Sequence, residues 1–310
     1  MTHDMASNEP KRVLVTGASG FTGQYVTTEL KKAGYRVITL GSKPAEGKDC
    51  FQVDLLDSEQ LTAVVQQSRP DHVIHLAAIA FVAHADARAF YDVNLIGTRY
   101  LLQALSMSDH PLTSVLLVSS ANVYGNSSAG SLSEQTAPDP VNDYAVSKLA
   151  MEYMAHTYRA KLPLIITRPF NYTGVGQESH FVIPKIVSHF RERKSEIELG
   201  NLQVWRDFGD VRKVAQAYRQ LIETPAAVGH TINISTGKAT SLGEIIGICE
   251  QITGHSLDVK VNRAFVRENE VQTLTGNSDL LRSLIPDWSP LDIRDTLSWM
   301  LTGDDVSSPA

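Results

Sequence analysis

The sequence is poor in cysteine and has neither a long apolar run nor an apolar leader. Cys50 and Cys249 are the only cysteines among its 310 residues, which excludes a disulfide framework and a cysteine-rich metal site. Nowhere does the chain approach the ~18 consecutive apolar residues that span a bilayer, and the stretch from Met1 to Lys11 is polar. We therefore expect a cytoplasmic protein with two reduced thiols and no membrane partner.

Charge of one sign is not concentrated either. The 28 basic and 34 acidic residues give a formal net charge of -6 without a basic stripe, so nucleic acid is a poor candidate partner. His84, His180 and His189 are scattered without a second ligand at helical spacing, and no metal site is expected. A chain of this length with 43% hydrophobic residues is able to bury a sizeable core.

Short β-branched runs alternate with longer helical patterns over the first half of the chain. This rhythm is typical of parallel strands joined by helical crossovers, and it predicts an α/β fold with a doubly wound parallel sheet of the Rossmann type. The strand candidates are Arg12–Thr16, Tyr35–Leu40, Cys50–Val53, His72–Leu76, Ser114–Ser119 and Leu164–Thr167, and the helix candidates are Phe21–Ala33, Ser58–Gln67, Arg88–Ser106 and Tyr144–Ala160.

The rhythm breaks after Arg168, where prolines and glycines punctuate a polar and aromatic stretch. Residues 11–170 are therefore predicted to form the main domain. Residues 171–302, including the strand candidate His230–Ser235 and the helix candidate Ser241–Thr253, are predicted to form mostly a smaller, interleaved C-terminal domain, with some segments returning to the sheet. Residues 1–10 and 303–310 are predicted to be disordered tails.

A glycine-rich turn lies between the first strand candidate and the first helix candidate. Its glycines let the backbone turn sharply and approach a pyrophosphate, whose charge is favoured by the amides of a helix N-terminus. This position in an alternating α/β chain indicates a dinucleotide site. The residues assigned to that site are Gly17, Ser19, Gly20, Phe21, Thr22 and Gly23.

The end of the second strand bears on which dinucleotide binds. A carboxylate there would accept a hydrogen bond from the ribose 2′-hydroxyl of NAD, but the sequence has Gly41 followed by Ser42 and Lys43, which suit a 2′-phosphate. The pattern favours NADP over NAD as the cofactor. Asp54, after the third strand, is a candidate for the adenine rim or, alternatively, for a helix cap.

A tyrosine and a lysine four residues apart, Tyr144 and Lys148, share one face of a predicted helix. An ammonium near a phenol lowers its pKa from about 10 toward neutrality, as a general acid/base requires. Ser119 and Ser120 end the fifth strand, at the sheet edge where ligands bind in such folds. A serine hydroxyl there can polarise a carbonyl oxygen while the tyrosine supplies the proton.

Taken in order, these motifs resemble the extended short-chain dehydrogenase/reductases, in the branch that modifies nucleotide sugars. The resemblance is carried by the glycine turn, His75 to Ala78, Asn94, Ser120 with Tyr124 and Gly125, Tyr144 with Lys148, and Arg168 to Asn171. It implies that Ser120, Tyr144 and Lys148 are catalytic and that Lys148 also holds the nicotinamide ribose. Further cofactor contacts that it implies are Leu55, Leu76, Ala77, Ala78, Asn94, Ser119, Tyr144 and Pro169.

A diphosphate grip is suggested by Asn171, Arg206 and Arg267, whose side chains carry donors suited to phosphate. The matching positions of the resembled family bind the pyrophosphate of a nucleotide sugar. The other residues assigned to the substrate site are Ile79, Ala80, Phe81, Ala121, Asn122, Val182, Lys185 and Glu270.

The two residues after the catalytic serine narrow the choice of reaction. Dehydratases of the family place an acidic pair there, whereas Ala121 and Asn122 cannot ionise, so a 4,6-elimination is disfavoured. A 4-ketoreductase using NADP and a 4-epimerase with tightly bound NAD stay open, and Gly41 favours the reductase. The stretch 168–177 resembles GDP-4-keto-6-deoxy-mannose reductases, which implies a GDP-sugar.

Two further expectations concern catalysis and assembly. A dinucleotide sensor without turnover is disfavoured because the serine, tyrosine and lysine are all present. The helix candidates Arg88–Ser106 and Tyr144–Ala160 carry apolar side chains on more than one face, and the equivalent helices of the resembled family form a four-helix interface. A homodimer is therefore expected.

Overall fold

Seven parallel strands form the main sheet of the computed structural model, which describes residues 9–44, 46–80, 86–125, 130–262, 265 and 272–303. Numbered along the chain, the strands are β1 (Arg12–Thr16), β2 (Arg36–Gly41), β3 (Cys50–Gln52), β4 (His72–His75), β5 (Ser114–Val118), β7 (Leu164–Pro169) and β11 (Thr231–Ile234). The sheet order is β11-β7-β5-β4-β1-β2-β3. The order reverses direction between β1 and β4, as in a doubly wound fold, so the predicted α/β class is confirmed.

Helices cover both faces of this sheet. Successive residues of a strand face opposite ways, so Val13 and Val15 of β1 lie in one apolar core while Leu14 lies in the other. Two long helices pack on the first core and three helices on the second, and all three β1 side chains are fully buried. The helices are α1 (Phe21–Lys32) and α7 (Val211–Glu223) on one side, and α2 (Ser58–Ser68), α4 (Thr98–Ser106) and α5 (Asp143–His156) on the other.

The predicted single helix Arg88–Ser106 is wrong in its interior. The structure has a short helix α3 (Ala87–Phe90), a π-helical segment (Tyr91–Gly97) and then α4. Gly97 packs closely against Leu55, and a Cβ on Gly97 would be 2.8 Å from Cβ of Leu55. Such π-helical turns are frequent at functional sites, and this one carries the buried Asn94.

Side-chain caps set where several helices begin. Asp57 accepts a hydrogen bond from Gln60 N at 2.9 Å before α2. Asn142 accepts one from Ala145 N at 2.9 Å before α5. Ser241 forms a reciprocal capping box with Glu244, so the predicted helix Ser241–Thr253 starts one residue later, as α8 (Leu242–Thr253).

A second, smaller region is built on residues after Arg168 together with one short excursion of the chain near Leu132. It holds a five-stranded sheet, a two-stranded sheet and an apolar core of its own. The strands are β6 (Ser131–Leu132), β8 (Asn171–Thr173), β10 (Trp205–Asp210), β12 (Ala239–Ser241) and β14 (Thr273–Gly276), then β9 (Glu196–Leu199) and β13 (Asp258–Val261); the helices besides α8 are α6 (Val182–Arg191), α9 (Asp279–Leu284) and α10 (Ile293–Thr302).

The division at residue 170 stays a prediction, since β11 lies beyond that residue in the chain and yet forms an edge of the main sheet. Of the predicted tails, 1–8 and 304–310 lie outside the described residues. Gly303 closes α10 with a positive φ of +74°. Within the described ranges, no helix is both long and apolar enough to cross a membrane.

Replacing Gly23 by alanine tests the tight approach at the start of α1. A Cβ on Gly23 would lie 2.2 Å from the carbonyl oxygen of Gly17, so we expect Gly23→Ala to lower the free energy of unfolding by about 1–3 kcal/mol. Gly247→Ala in α8 is the matched control, since a Cβ there meets nothing within 4 Å, and it should stabilise by about 0.5–1 kcal/mol. Urea unfolding measures both; equal effects of the two substitutions would contradict the tight approach.

Candidate active site

The predicted dinucleotide cradle is formed where β1 passes into α1. Gly17 has a φ of +70°, and a Cβ there would lie 2.8 Å from Ala77 N, so only glycine fits this backbone. Gly20 is the N-cap of α1 and has no side chain that could cap the helix. No N-cap side chain therefore occupies the first-turn amides of Phe21 and Thr22. A helix N-terminus behind a glycine turn is suited to a pyrophosphate.

The end of β2 has room for a ribose that carries a 2′-phosphate. A Cβ on Gly41 would meet no described atom within 4 Å, while Ser42 and Lys43 are exposed beside it. The Ser42 carbonyl accepts a hydrogen bond from Gln52 Nε2 at 3.2 Å, which fixes the start of this loop. The cradle therefore has a hydroxyl and an ammonium, and no carboxylate, at the strand end.

Asp54 and Leu55 follow β3 at the same edge of the sheet. The Asp54 carboxylate accepts a hydrogen bond from Leu56 N at 2.9 Å, in a turn before α2. The alternative role of Asp54 as a helix cap is wrong, because Asp57 caps that helix. Leu55 is buried against Gly97. Contacts of either residue with the dinucleotide stay a prediction.

Asn94 ties the loop after β4 to the helix that carries the tyrosine and the lysine. Its Oδ1 accepts a hydrogen bond from Ile79 N at 2.9 Å, and its Nδ2 donates to Ile79 O at 3.2 Å and to Ser147 Oγ at 3.1 Å. These bonds engage both the oxygen and the nitrogen of the Asn94 amide, and the side chain is 1% exposed. The structure thus gives Asn94 a positioning role within the protein; its predicted contact with the cofactor is untested.

A chain of buried hydrogen bonds runs from the glycine turn to Asn94 through His75. Thr98 Oγ1 donates to Asn94 O at 2.8 Å and therefore accepts from His75 Nε2 at 2.8 Å. His75 Nδ1 then accepts from Thr16 Oγ1 at 2.7 Å, and Thr16 Oγ1 accepts from Ala77 N at 3.1 Å. Burial lowers the pKa of His75 to about 3, so the ring is neutral in this single tautomer.

Leu76, Ala77 and Ala78 follow β4 as predicted and are partly buried beside the turn. Pro169 is buried at the end of β7, where it pairs with Ile234 of β11. These residues place backbone along the carboxyl edge of the sheet. Their contacts with the dinucleotide stay predictions.

Ser120 and Tyr144 meet at the carboxyl end of β5. Ser120 is the N-cap of a 3-10 turn over Ala121–Tyr124, and its Oγ accepts a hydrogen bond from Asn122 N at 3.1 Å. The Tyr144 phenol is hydrogen-bonded to the Ser120 side chain. Tyr144 and Ser120 are each 7% exposed, so both groups needed at a carbonyl oxygen lie together in a nearly dry site.

Ser119 lies beside this pair and is 2% exposed. Its Oγ has no hydrogen-bond partner among the described residues. A buried hydroxyl left without a protein partner fits a polar group of a bound dinucleotide, and so the donor set agrees with the predicted cofactor.

Burial is the main influence on the pKa of both the tyrosine and the lysine. Burial raises the pKa of Tyr144 to about 12, and the hydrogen bond with Ser120 opposes that rise. Burial lowers the pKa of Lys148 to about 8, while the Glu152 carboxylate opposes the fall. The predicted lowering of the phenol pKa by Lys148 is wrong for this structure, because Lys148 Nζ donates to Val118 O at 2.9 Å instead.

Glu152 continues the row of Tyr144 and Lys148 one turn farther along α5. Its carboxylate receives two hydrogen bonds from Arg168 on β7, at 3.0 and 2.6 Å. Arg168 also lies over the Tyr124 ring, 4.9 Å from its centroid. The sequence identified Arg168 within a motif but carried no signal for this pairing, since its two partners are separated by 16 residues on different elements.

The predicted substrate residues are distributed around the mouth of this site. Ile79 and Asn122 are partly buried, Ala80 and Asn171 are exposed, and Ala121 is 1% exposed below the serine. Phe81, Arg267 and Glu270 lie outside the described residues. The structure thus places Asn122 and Asn171 at the carboxyl edge while leaving the second arginine undescribed.

Three other predicted substrate residues lie in the smaller region. Val182 is the first residue of α6. Lys185 Nζ donates to Glu198 O at 2.7 Å, and Arg206 Nη1 donates to Trp205 O at 2.9 Å. Both cations therefore hold backbone carbonyls of the smaller region. Across the described part of the chain, no group of three or more histidine, cysteine, aspartate or glutamate side chains is placed to hold a metal ion.

Comparison with known proteins gives a consistent set of relatives. The sequence profile of the NAD dependent epimerase/dehydratase family matches residues 13–235. A GDP-6-deoxy-D-talose 4-dehydrogenase from Aggregatibacter actinomycetemcomitans is 35% identical over 291 residues, which cover 93% of this chain and 96% of the relative. A GDP-6-deoxy-D-mannose reductase from Pseudomonas aeruginosa is 32% identical over 304 residues, 94% of this chain and 96% of the relative.

Among solved structures, a proposed epimerase from Burkholderia cenocepacia J2315 is 46% identical in sequence and superposes with a TM-score of 0.88. The match covers 94% of this chain and 98% of that one. The similarity therefore extends over the main sheet and the smaller region alike.

Replacing Tyr144 by phenylalanine tests the assignment of the acid. We expect Tyr144→Phe to lower turnover by about 10²–10⁴-fold with little change in dinucleotide affinity, because the proton donor is lost while the ring stays in place. Stopped assays of turnover and calorimetry of the dinucleotide measure the two effects. Tyr153→Phe is the matched control, since Tyr153 is 64% exposed on the same helix. Near-normal turnover in Tyr144→Phe would show that another group is the acid.

Proposed function

Because this chain belongs to the NAD-dependent epimerase/dehydratase family, we propose that it reduces the 4-keto group of a GDP-4-keto-6-deoxy sugar with NADPH. Membership of the family confirms the predicted resemblance and the predicted class, an NAD(P)-dependent enzyme of nucleotide sugars. The finer assignment rests on the buried set of Ser120, Tyr144 and Lys148, the residues after the serine and the end of β2.

The proton donor Tyr144, buried beside Ser120 at the end of β5, is the observation that carries the proposal. A reduction needs an acid that gives a proton to the oxygen of the carbonyl, whereas an epimerase must first remove a proton from a hydroxyl. Tyr144, whose pKa burial raises to about 12, holds its proton at neutral pH and can give it to a carbonyl oxygen.

In this proposal the protein residues divide the work at the carbonyl. The bound dinucleotide supplies the hydride. Ser120 donates a hydrogen bond to the keto oxygen, and Tyr144 transfers its phenolic proton to that oxygen as the hydroxyl product forms. Lys148, which is 5% exposed, holds the nicotinamide ribose.

Two relatives support reaction at C4 of a GDP-sugar. Their names pair a GDP-6-deoxy-D-talose 4-dehydrogenase with a GDP-6-deoxy-D-mannose reductase. Talose and mannose differ only in configuration at C4, so reduction of one 4-keto sugar from opposite faces yields both products. Neither Ala121 nor Asn122 has the ionisable group that removal of water from the sugar would need.

The choice of NADPH rests on the rim of the cradle. Ser42 and Lys43 are exposed at the end of β2, where a carboxylate would select against a 2′-phosphate. Pyrophosphate is assigned to the turn from Gly17 to Gly23, and the buried hydroxyl of Ser119 to a polar group nearer the nicotinamide. Both cysteines are free thiols, in accord with a proposed cytoplasmic location.

A 4-epimerase that retains NAD is the second candidate, because the solved relative from Burkholderia cenocepacia J2315 is a proposed epimerase. The two candidates differ in whether cofactor is consumed. The end of β2, with Ser42 and Lys43 in place of a carboxylate, favours the reductase.

Consumption of NADPH decides between these reactions. Supplied with GDP-4-keto-6-deoxy-mannose, the enzyme should oxidise one equivalent of NADPH for each sugar reduced, and NADH should serve less well. Absorbance at the nicotinamide band and chromatography of the sugar measure the two quantities. Tightly bound NAD with interconversion of two 4-epimers, and no net consumption of cofactor, would establish the epimerase instead.

The basis of cofactor selection is testable at two positions. Gly41→Asp has room for its side chain and should shift the ratio of kcat/KM toward NADH, because the carboxylate repels the 2′-phosphate. Lys43→Ala should weaken NADPH alone. Lys48→Ala removes another exposed lysine of the same loop and is the control. A preference unchanged in both Gly41→Asp and Lys43→Ala would refute this location for the phosphate.

We also propose a homodimer formed through α4 and α5. The outer face of α5 exposes Val146 by 38% and Tyr153 by 64%, and Met107 at the end of α4 is exposed by 59%. Exposed apolar groups on two adjacent helices are typical of a surface that another subunit covers. Each of these side chains would be buried in the expected four-helix interface.

Light scattering measures the assembly. At micromolar concentration we expect twice the chain mass of 34.0 kDa, and Tyr153→Arg should give the monomer. Val261→Arg, at an equally exposed apolar residue of β13, is the control and should stay dimeric. A monomeric wild-type protein would overturn the dimer.

A further inference from the structure

Tyr172 joins the second strand of the smaller region to the dinucleotide cradle. Its hydroxyl lies 2.8 Å from Thr22 Oγ1, and its ring stacks on Phe21 with centroids 6.3 Å apart and planes 13° apart. Phe21 and Thr22 form the first turn of α1. One side chain from β8 therefore contacts both residues of the turn whose amides are assigned to the pyrophosphate.

The neighbour of Tyr172 is assigned to the other ligand. Asn171, exposed at the start of β8, is a predicted contact of the nucleotide-sugar diphosphate. Adjacent residues of a strand project to opposite sides. The side chain of Tyr172 is therefore on the cradle side of β8, and that of Asn171, which is exposed, is on the other.

The rest of the segment is fixed to the same helix. Tyr25 of α1 donates its hydroxyl to Val175 O at 2.7 Å. Gly174 is enclosed, since a Cβ there would be 2.5 Å from Cγ1 of Val211. The segment 172–175 is therefore held against α1 at both ends, by Tyr172 at one end and by the Tyr25 hydroxyl at the other.

We infer that Tyr172 is a positioning residue that couples the two sites, so that bound dinucleotide raises the affinity for the nucleoside diphosphate and the reverse. This inference rests on the proposed function. A pyrophosphate that orders the first turn of α1 also orders Thr22 and, through the hydroxyl pair, Tyr172. Asn171 is then fixed before the second ligand arrives, and that ligand pays less ordering entropy. Thermodynamic linkage requires the same factor in both directions.

Calorimetry on the full chain measures this coupling as a ratio. The Kd of NADPH is determined without and with saturating GDP, and the Kd of GDP without and with saturating NADPH. We expect the wild-type ratio to be about fivefold or more in both directions, and Tyr172→Phe to reduce it below about twofold while each ligand still binds alone. Thr22→Val should also lower the ratio below about twofold, although it weakens NADPH as well because Thr22 is assigned to the cofactor site, and the double variant should not lower the ratio further.

Tyr25→Phe is the matched control. It removes a tyrosine hydroxyl that holds the same segment but keeps the ring, which packs edge-to-face on Phe21 with centroids 5.7 Å apart, and it should keep the wild-type ratio. When Tyr25→Phe is combined with Tyr172→Phe, we do not expect it to restore the wild-type ratio. A merely structural role of Tyr172 would instead weaken both ligands equally and leave the ratio unchanged.

The outcomes separate this inference from the proposed function. If NADPH and GDP each bind the wild type but with a ratio near one, the coupling is wrong while the proposed ligands stand. If Tyr172→Phe keeps the wild-type ratio, Tyr172 is not the link. If neither GDP nor NADPH binds the wild type, the proposed function fails, and the inference fails with it.

Discussion

The hydrogen bond between Thr16 and His75 is the contact on which the carboxyl edge of the sheet depends. It joins β1 and β4, the two neighbouring strands between which the strand order reverses, at 2.7 Å. Thr16 Oγ1 also accepts a hydrogen bond from Ala77 N. His75 donates to Thr98, which in turn donates to Asn94 O. Because every donor in this chain meets one acceptor, the glycine turn, the loop after β4 and α5 are held in one arrangement.

The neutral state of His75 is part of that arrangement. A second proton on the ring would place an N–H donor against Thr16 Oγ1, which already uses its own proton toward the ring. Burial keeps its pKa at about 3 and so excludes this conflict at ordinary pH. The same dry surroundings raise the pKa of Tyr144 and lower that of Lys148. One property, exclusion of water from the edge, thus sets the protonation of three groups.

The sequence was sufficient for those parts of the site that depend on short spacing. Gly17 and Gly23 flank one turn, and Tyr144 and Lys148 lie one helical turn apart, so local geometry brings each pair together. Contacts between distant residues were not accessible in this way. Thr22 and Tyr172 are separated by 150 positions, and Thr16 and His75 by 59. The π-helical segment was missed because an apolar pattern near Asn94 fits an α-helix equally well.

The prediction for the phenol failed for a different reason. Spacing placed Lys148 on the correct face, but it carried no information on burial or on Val118 O, the acceptor that the ammonium reaches. Desolvation then outweighs any help from the lysine. Protonation is therefore the least predictable property of this site from residues alone.

The edge strand β11 and the helix α7 have a consequence for synthesis of the chain. Both belong to the core around β1 and α1, and Arg219 of α7 reaches back to Glu29 of α1 across 190 positions at 2.8 Å. A nascent chain that has emerged only as far as β7 has α1 but not α7 on this face of its sheet, which leaves Ile165 and Leu116 facing solvent. The first half of the polypeptide is consequently not an autonomous folding unit, and until residue 234 has left the ribosome it presents the kind of apolar surface that chaperones bind.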